Sequence, residues 1–104
     1  MEAWRSRREL LNYVKSTLAR YGVRPRKRLG QSFTVDPFLI KDLVDYAEVG
    51  SSDEVLEVGG GVGCLTKALA LRAKKVFTVE VDRRLAKALR DLSSELGNVE
   101  VLEG

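Results

Sequence analysis

Residues 54–81 constrain the fold more than any other stretch of the 104-residue chain. Glu54 to Val58 is a short apolar run, Gly59-Gly60-Gly61-Val62-Gly63 follows at once, and Leu65, Ala68, Leu69 and Ala73 then recur at helical spacing. Lys75 to Val81 is β-branched and aromatic and reads as a second strand. Asp82 suits a helix N-cap, and Leu85, Leu89, Leu92 and Leu96 form the apolar stripe of the helix it would start. Gly97-Asn98 is a turn signal, and Val99 to Leu102 begins a third strand. Strand–helix–strand–helix–strand predicts an α/β fold with a parallel sheet and right-handed crossovers.

The glycines say what such a sheet would bind. Glycine lets a backbone turn sharply and lets a ligand approach where a Cβ would stand. Amides at a helix start favour a polar or negatively charged group. An acid closing the next strand can accept both hydroxyls of a ribose, and Glu80 lies 19 residues after Gly61, near the spacing such an acid takes. Gly59, Gly61, Gly63 and Glu80 together indicate a nucleoside-containing cofactor. The dinucleotide fingerprint G-x-G-x-x-G would need glycine where Cys64 or Thr66 stands, which disfavours a nicotinamide-dependent oxidoreductase. No Gly-Lys-Ser/Thr occurs, so the loop is not a P-loop.

The N-terminal third is different in charge. Residues 1–30 hold nine Lys/Arg (Arg5, Arg7, Arg8, Lys15, Arg20, Arg24, Arg26, Lys27, Arg28) against Glu2 and Glu9, whereas the remainder is net acidic. A basic arm on an acidic body points to a polyanion such as nucleic acid. Residues 3–20 read as a helix with Trp4, Leu11, Val14, Leu18 and Tyr21 on one face, and Trp4 is expected to pack against the body. Gly22 and Pro25 end it, residues 24–30 form an extended basic connector, and a second helix starts at Asp36-Pro37 with Leu39, Ile40, Leu43, Val44 and Ala47 as its apolar stripe. The expected organisation is a basic helix and linker over 1–30 and a partial cofactor-binding domain over 31–104. With one cysteine and no histidine, a disulfide framework, multi-cysteine metal sites and histidine-based catalysis are excluded, and Cys64 reads as a packing residue. No apolar run suits a bilayer and no signal-peptide core precedes the charges of residues 5–8, so the expected setting is soluble and cytoplasmic, without a membrane partner.

Leu29-Gly30-Gln31-Ser32-Phe33 with Asp36 and Ile40, Val55 to Gly63 with Leu65-Thr66, Val79-Glu80-Val81-Asp82-Arg83, and the lead-in from Asn98 to Gly104 occur in an order and spacing that resembles the ribosomal RNA adenine dimethyltransferases and the related erythromycin-resistance methylases. The likeness covers roughly residues 25–104, and the basic start favours the small-subunit branch. The resemblance implies a class I methyltransferase, Rossmann-like sheet, of which the first half is present, and S-adenosyl-L-methionine as cofactor. It implies that the backbone around Gln31, Ser32 and Thr34 holds the methionine end, that Gly59 and Gly61 line the sulfonium side, that Glu80 takes the ribose hydroxyls, that Val81 touches the adenine, and that Phe33 and Gly63 also belong to the cofactor site. Ser32 departs from the family's usual Asn, and Gly60 from a frequent Pro, which would loosen the loop. Glu57 either positions groups near the methyl donor or bonds to nearby amides. Arg24, Arg26, Lys27 and Arg28 would contact phosphates of small-subunit ribosomal RNA.

In this family an adenine exocyclic amine attacks the sulfonium methyl in line, with the base flipped and stacked. The Asn/Asp-Leu/Ile-Pro-Tyr/Phe motif that holds the base does not occur in these 104 residues. The chain alone is therefore expected to lack catalysis. The alternative is a non-catalytic module that holds cofactor or RNA. A first strand without an outer partner is also expected to favour self-association.

Overall fold

The computed structural model describes residues 2–24 and 36–104. Its elements are α1 (Arg7–Tyr21), α2 (Pro37–Tyr46), β1 (Glu54–Val58), α3 (Cys64–Ala70), β2 (Lys75–Glu80), α4 (Arg83–Leu96) and β3 (Val99–Glu103). The strands form a parallel sheet in the order β1-β2-β3, with Val55 beside Val76 and Val76 beside Val99. The alternation expected from the sequence is thus present, strand for strand.

Local chemistry sets the helix ends. Asp36 caps α2 by accepting from the amides of Phe38 and Leu39, and Pro37 opens the helix where its missing N–H costs nothing. Asp82 caps α4 in the same way through Arg84 and Leu85, and Gly97 ends it in the left-handed region at φ 83°. The start of α1 differs from the sequence expectation. Ser6 is extended and accepts from the Glu9 amide, so the helix begins at Arg7, and Trp4 packs from a segment ahead of it. The buried stripe of α1 is Leu10, Val14 and Thr17, while Leu11, Leu18 and Tyr21 are half-buried. On α2 only Ile40 and Val44 are buried; Leu39, Leu43 and Ala47 are exposed.

Side chains of paired residues in a parallel sheet share a face. Val76, Thr78, Glu80 and Val99 are buried on the face packed by α3 and α4; Leu85 joins Val62, Leu69 and Val76 in the core cluster, and Leu89 and Leu92 are buried beneath Gly60 and Gly63. α1 packs on α4, and α2 on α3. The opposite face carries Leu56 and Val58, 65% and 79% exposed, with Phe77, Val79 and Leu102 partly exposed. Among the described residues nothing covers that face and nothing pairs with the outer edge of β1. No helix among the described residues is long and apolar enough to cross a membrane.

Candidate cofactor site

Three strand ends converge at the carboxyl edge of the sheet, the place where open parallel sheets bind ligands. The chain leaves β1 through Gly59, Gly61 and Gly63, with φ of 77°, 61° and 94°. Side chains other than glycine rarely adopt such values, so this turn requires glycine at all three positions. The Gly59 amide donates to the Val79 carbonyl at 2.7 Å, and the Gly63 amide to the Gly60 carbonyl at 3.0 Å, closing the turn before α3.

Glu80 stands opposite this loop, 6% exposed. Its Oε1 accepts from the Gly61 amide at 2.9 Å and its Oε2 from the Asp82 amide at 3.0 Å. One carboxylate therefore ties the glycine loop to the tip of β2. A carboxylate has about four lone-pair sites, so each oxygen keeps capacity for a further donor. Val81, the next residue, is 75% exposed and offers an apolar surface at the same edge. Val81 lies just past the end of β2, which stops at Glu80.

Glu57 sits one layer below. It is 8% exposed, and its Oε1 accepts from Thr66 Oγ1 at 2.5 Å and Thr78 Oγ1 at 2.8 Å. Its partners are hydroxyls on α3 and β2, not the amides expected for a strand-end acid. Burial pushes its carboxyl above the usual carboxylate range; the two threonine hydroxyls oppose this, and the nearby charge of Glu80 adds to it. Thr66 and Thr78 are fully buried, and the sequence reading did not single them out for this role. Their signal was available only as two threonines on apolar stretches, where a hydroxyl needs an acceptor.

Gly60, expected to loosen the loop, also marks a close approach: a Cβ there would lie 2.3 Å from Thr78 Oγ1 and 3.2 Å from Glu57 Oε1. Cys64, as expected, is a buried packing residue; burial pushes its thiol up to about 12, which leaves no thiolate at neutral pH.

Of the other residues expected at the site, Arg24 is described and exposed. Arg26, Lys27 and Arg28, and the cofactor residues Gln31, Ser32, Phe33 and Thr34, lie outside the described residues. The structure thus brings together Gly59, Gly61, Gly63, Glu80 and Val81, with Glu57 beneath them.

This arrangement is shared with known proteins. The chain is 49% identical over 87 residues to a probable ribosomal RNA small subunit methyltransferase A of Pyrococcus abyssi, covering 84% of this chain and 32% of that protein. It is 42% identical over 91 residues to the ribosomal RNA small subunit methyltransferase A of Bacillus thuringiensis, covering 88% and 31%. It therefore spans about a third of the length of these relatives. The crystal structure of the 23S rRNA methyltransferase ErmE superposes with a TM-score of 0.66 at 41% identity, over 70% of this chain and 30% of that one. The fold is that of the class I methyltransferases. Residues 22–104 match the ribosomal RNA adenine dimethylase family, and the chain belongs to it.

Proposed function

We propose that this chain is the cofactor-binding part of an S-adenosyl-L-methionine-dependent enzyme that dimethylates adenine N6 in small-subunit ribosomal RNA. The observation that carries the reading is the Glu80 carboxylate bridging Gly61 and Asp82 beside three left-handed glycines. These residues fit the cofactor's chemistry. No atom of the described residues lies within 4 Å of where a Cβ on Gly59 would stand, so among them nothing blocks a ligand's approach to the bare backbone there. Glu80 keeps acceptor capacity for a ribose diol, and Val81 gives an adenine an apolar neighbour. S-adenosyl-L-methionine, when bound, supplies an electrophilic methyl group on a sulfonium. The chain's own residues bind and orient: Gly59 and Gly61 would admit the sulfonium side, Gln31, Ser32 and Thr34 would hold the methionine end beside Phe33, and Gly63, where a Cβ would meet Leu92 at 2.5 Å, lets the loop pack on α4. Glu57 braces the loop from below through Thr66 and Thr78.

The RNA part of the proposal rests on the basic connector. Its root is fixed, because Val23 is buried and the Gly22 carbonyl accepts from Arg84 Nη1 at 2.6 Å. Arg24, Arg26, Lys27 and Arg28 come just before the cofactor motif in the sequence, and phosphate contacts from them would add affinity without reading sequence. The two small subunit methyltransferase A relatives support ribosomal RNA of the small subunit as the substrate class, and the cytoplasm is part of the same proposal. The base-holding Pro-aromatic motif is not among these 104 residues, so this polypeptide alone is expected to bind and not to methylate.

A nicotinamide-binding reading is less favoured by a specific observation. The dinucleotide fold uses a glycine in the first helical turn for close helix–strand packing; here Thr66 fills that place and bonds Glu57. Calorimetric titration with S-adenosylhomocysteine, run beside NAD, tests the proposal. The nucleoside thioether binds and NAD does not. Glu80→Gln, which keeps the shape but removes one acceptor and the charge, weakens binding by about 2 kcal/mol, or roughly thirtyfold. Binding of NAD in its place would overturn the reading.

A further inference from the structure

The matched family region begins at residue 22, yet the glycine loop is held from behind by residues that precede it. Tyr13, on α1, donates its hydroxyl to the Val62 carbonyl at 2.7 Å. Trp4, ahead of α1, donates Nε1–H to the Cys64 carbonyl at 3.0 Å. The two rings pack with centroids 4.7 Å apart, and Lys67 Nζ lies 4.4 Å from the Trp4 ring centre, so the pair is clamped between α1 and α3.

We infer that residues 2–21 form a positioning element for the cofactor loop, with Tyr13 and Trp4 as its positioning residues. The mechanism is geometric. A peptide plane has its C=O and N–H on opposite sides. Fixing the Val62 carbonyl against Tyr13 therefore turns the Gly63 amide toward the Gly60 carbonyl, which closes the loop. Fixing the Cys64 carbonyl against Trp4 holds the first residue of α3 at the same depth. The Gly61 amide, between these anchors and Glu80, is then aimed with little freedom. Burial pushes the Tyr13 hydroxyl up to about 12, so it remains a donor throughout the neutral range. A second tyrosine on the same helix provides the control. Tyr21 donates to Asp91 on α4, at an exposed site away from the loop.

Tyr13→Phe, Trp4→Phe and Tyr21→Phe in the 104-residue chain test this, each checked for folding by circular dichroism. Amide hydrogen exchange at Gly61 and Gly63 reads the loop without any ligand, since both amides are hydrogen-bonded in the native state. Tyr13→Phe and Trp4→Phe each speed exchange at these amides about fivefold, the equivalent of one hydrogen bond, while β2 and β3 amides keep their protection. Tyr21→Phe leaves the loop amides unchanged. The affinity for S-adenosylhomocysteine falls about fivefold in the first two variants and not in the third. That binding arm rests on the cofactor reading proposed above; the exchange arm does not. Absence of binding by the wild-type chain, with the exchange pattern as stated, would defeat the cofactor reading and leave the positioning element standing. Unchanged loop exchange in whichever of Tyr13→Phe and Trp4→Phe folds, or equal acceleration in Tyr21→Phe, would overturn the inference.

Discussion

Thr78 Oγ1 occupies the space where a Cβ on Gly60 would go, and the same hydroxyl bonds Glu57. The turn after β1 is thus shaped by a side chain on β2. Gly60→Ala is expected to destabilise by about 2 kcal/mol through overpacking. Removing the obstacle should relieve part of that cost, so Gly60→Ala and Thr78→Ala are expected to be non-additive by at least about 0.5 kcal/mol in urea unfolding. Additive losses would mean that the loop moves aside freely. Glu57 gives a second prediction, in pH. Its folded pKa is raised, mainly by burial, so between the ordinary carboxylate range and the raised value the native state binds more protons than the unfolded chain. Its contribution therefore favours folding at low pH and is lost as pH rises through that window. Glu57→Gln keeps an acceptor for the two threonines and does not titrate. The stability difference, variant minus wild type, should increase with pH across the window in thermal melts; a flat difference would show that Glu57 titrates as an ordinary carboxyl. The glycine spacing and Glu80 were legible at this scale because they recur at a fixed separation in the chain. Thr66 and Thr78 were not, because their partner lies 9 and 21 residues away across two other elements.

At the scale of elements, the helix on β2's far side was the most legible. Asp82 precedes a strict leucine repeat, and Leu85, Leu89 and Leu92 are buried as that repeat requires. Asp82→Ala removes a cap that holds the amides of Arg84 and Leu85 and is expected to cost about 1 kcal/mol. Leu89→Ala, at a fully buried position, is expected to cost about 2–5 kcal/mol. Chemical denaturation would separate the two, and equal costs would contradict the core position of Leu89. The first two helices were read less well, for a common physical reason. Periodicity states which residues share a face, not whether that face meets a neighbour. α2 packs on α3 along Ile40 and Val44 only, which leaves Phe38, Leu39, Leu43 and Tyr46 exposed. For α1, a helical phase running on through Trp4 concealed the cap at Ser6, which sets Trp4 apart from the helix whose stripe it appeared to extend.

The whole molecule follows from strand order combined with handedness. Right-handed crossovers that step in one direction, β1 to β2 to β3, place both α3 and α4 on the same face of the sheet. The other face must then be supplied with cover from elsewhere or stay open. Alternating strands and helices in the sequence left this undecided, since an order that reversed around β1 would have put the helices on opposite faces. Among the described residues, Leu56, Val58, Phe77, Val79 and Leu102 form the open face, and nothing pairs with the edge of β1 beside it. An apolar patch joined to a free strand edge is the combination that drives chains together. The purified chain is therefore expected to self-associate, with a sedimentation coefficient that rises with concentration. Leu56→Lys combined with Val58→Lys should suppress this without unfolding, because both side chains project into solvent in the single chain and neither supports the core. The double variant should keep its circular dichroism spectrum and sediment as one slow species. A wild-type chain that remains a single slow species at the highest concentration would mean that the open face is not sticky on its own. Association unchanged in the lysine variant would place the contact elsewhere, with the exposed Phe38, Leu39, Leu43 and Tyr46 of α2 the next surface to alter.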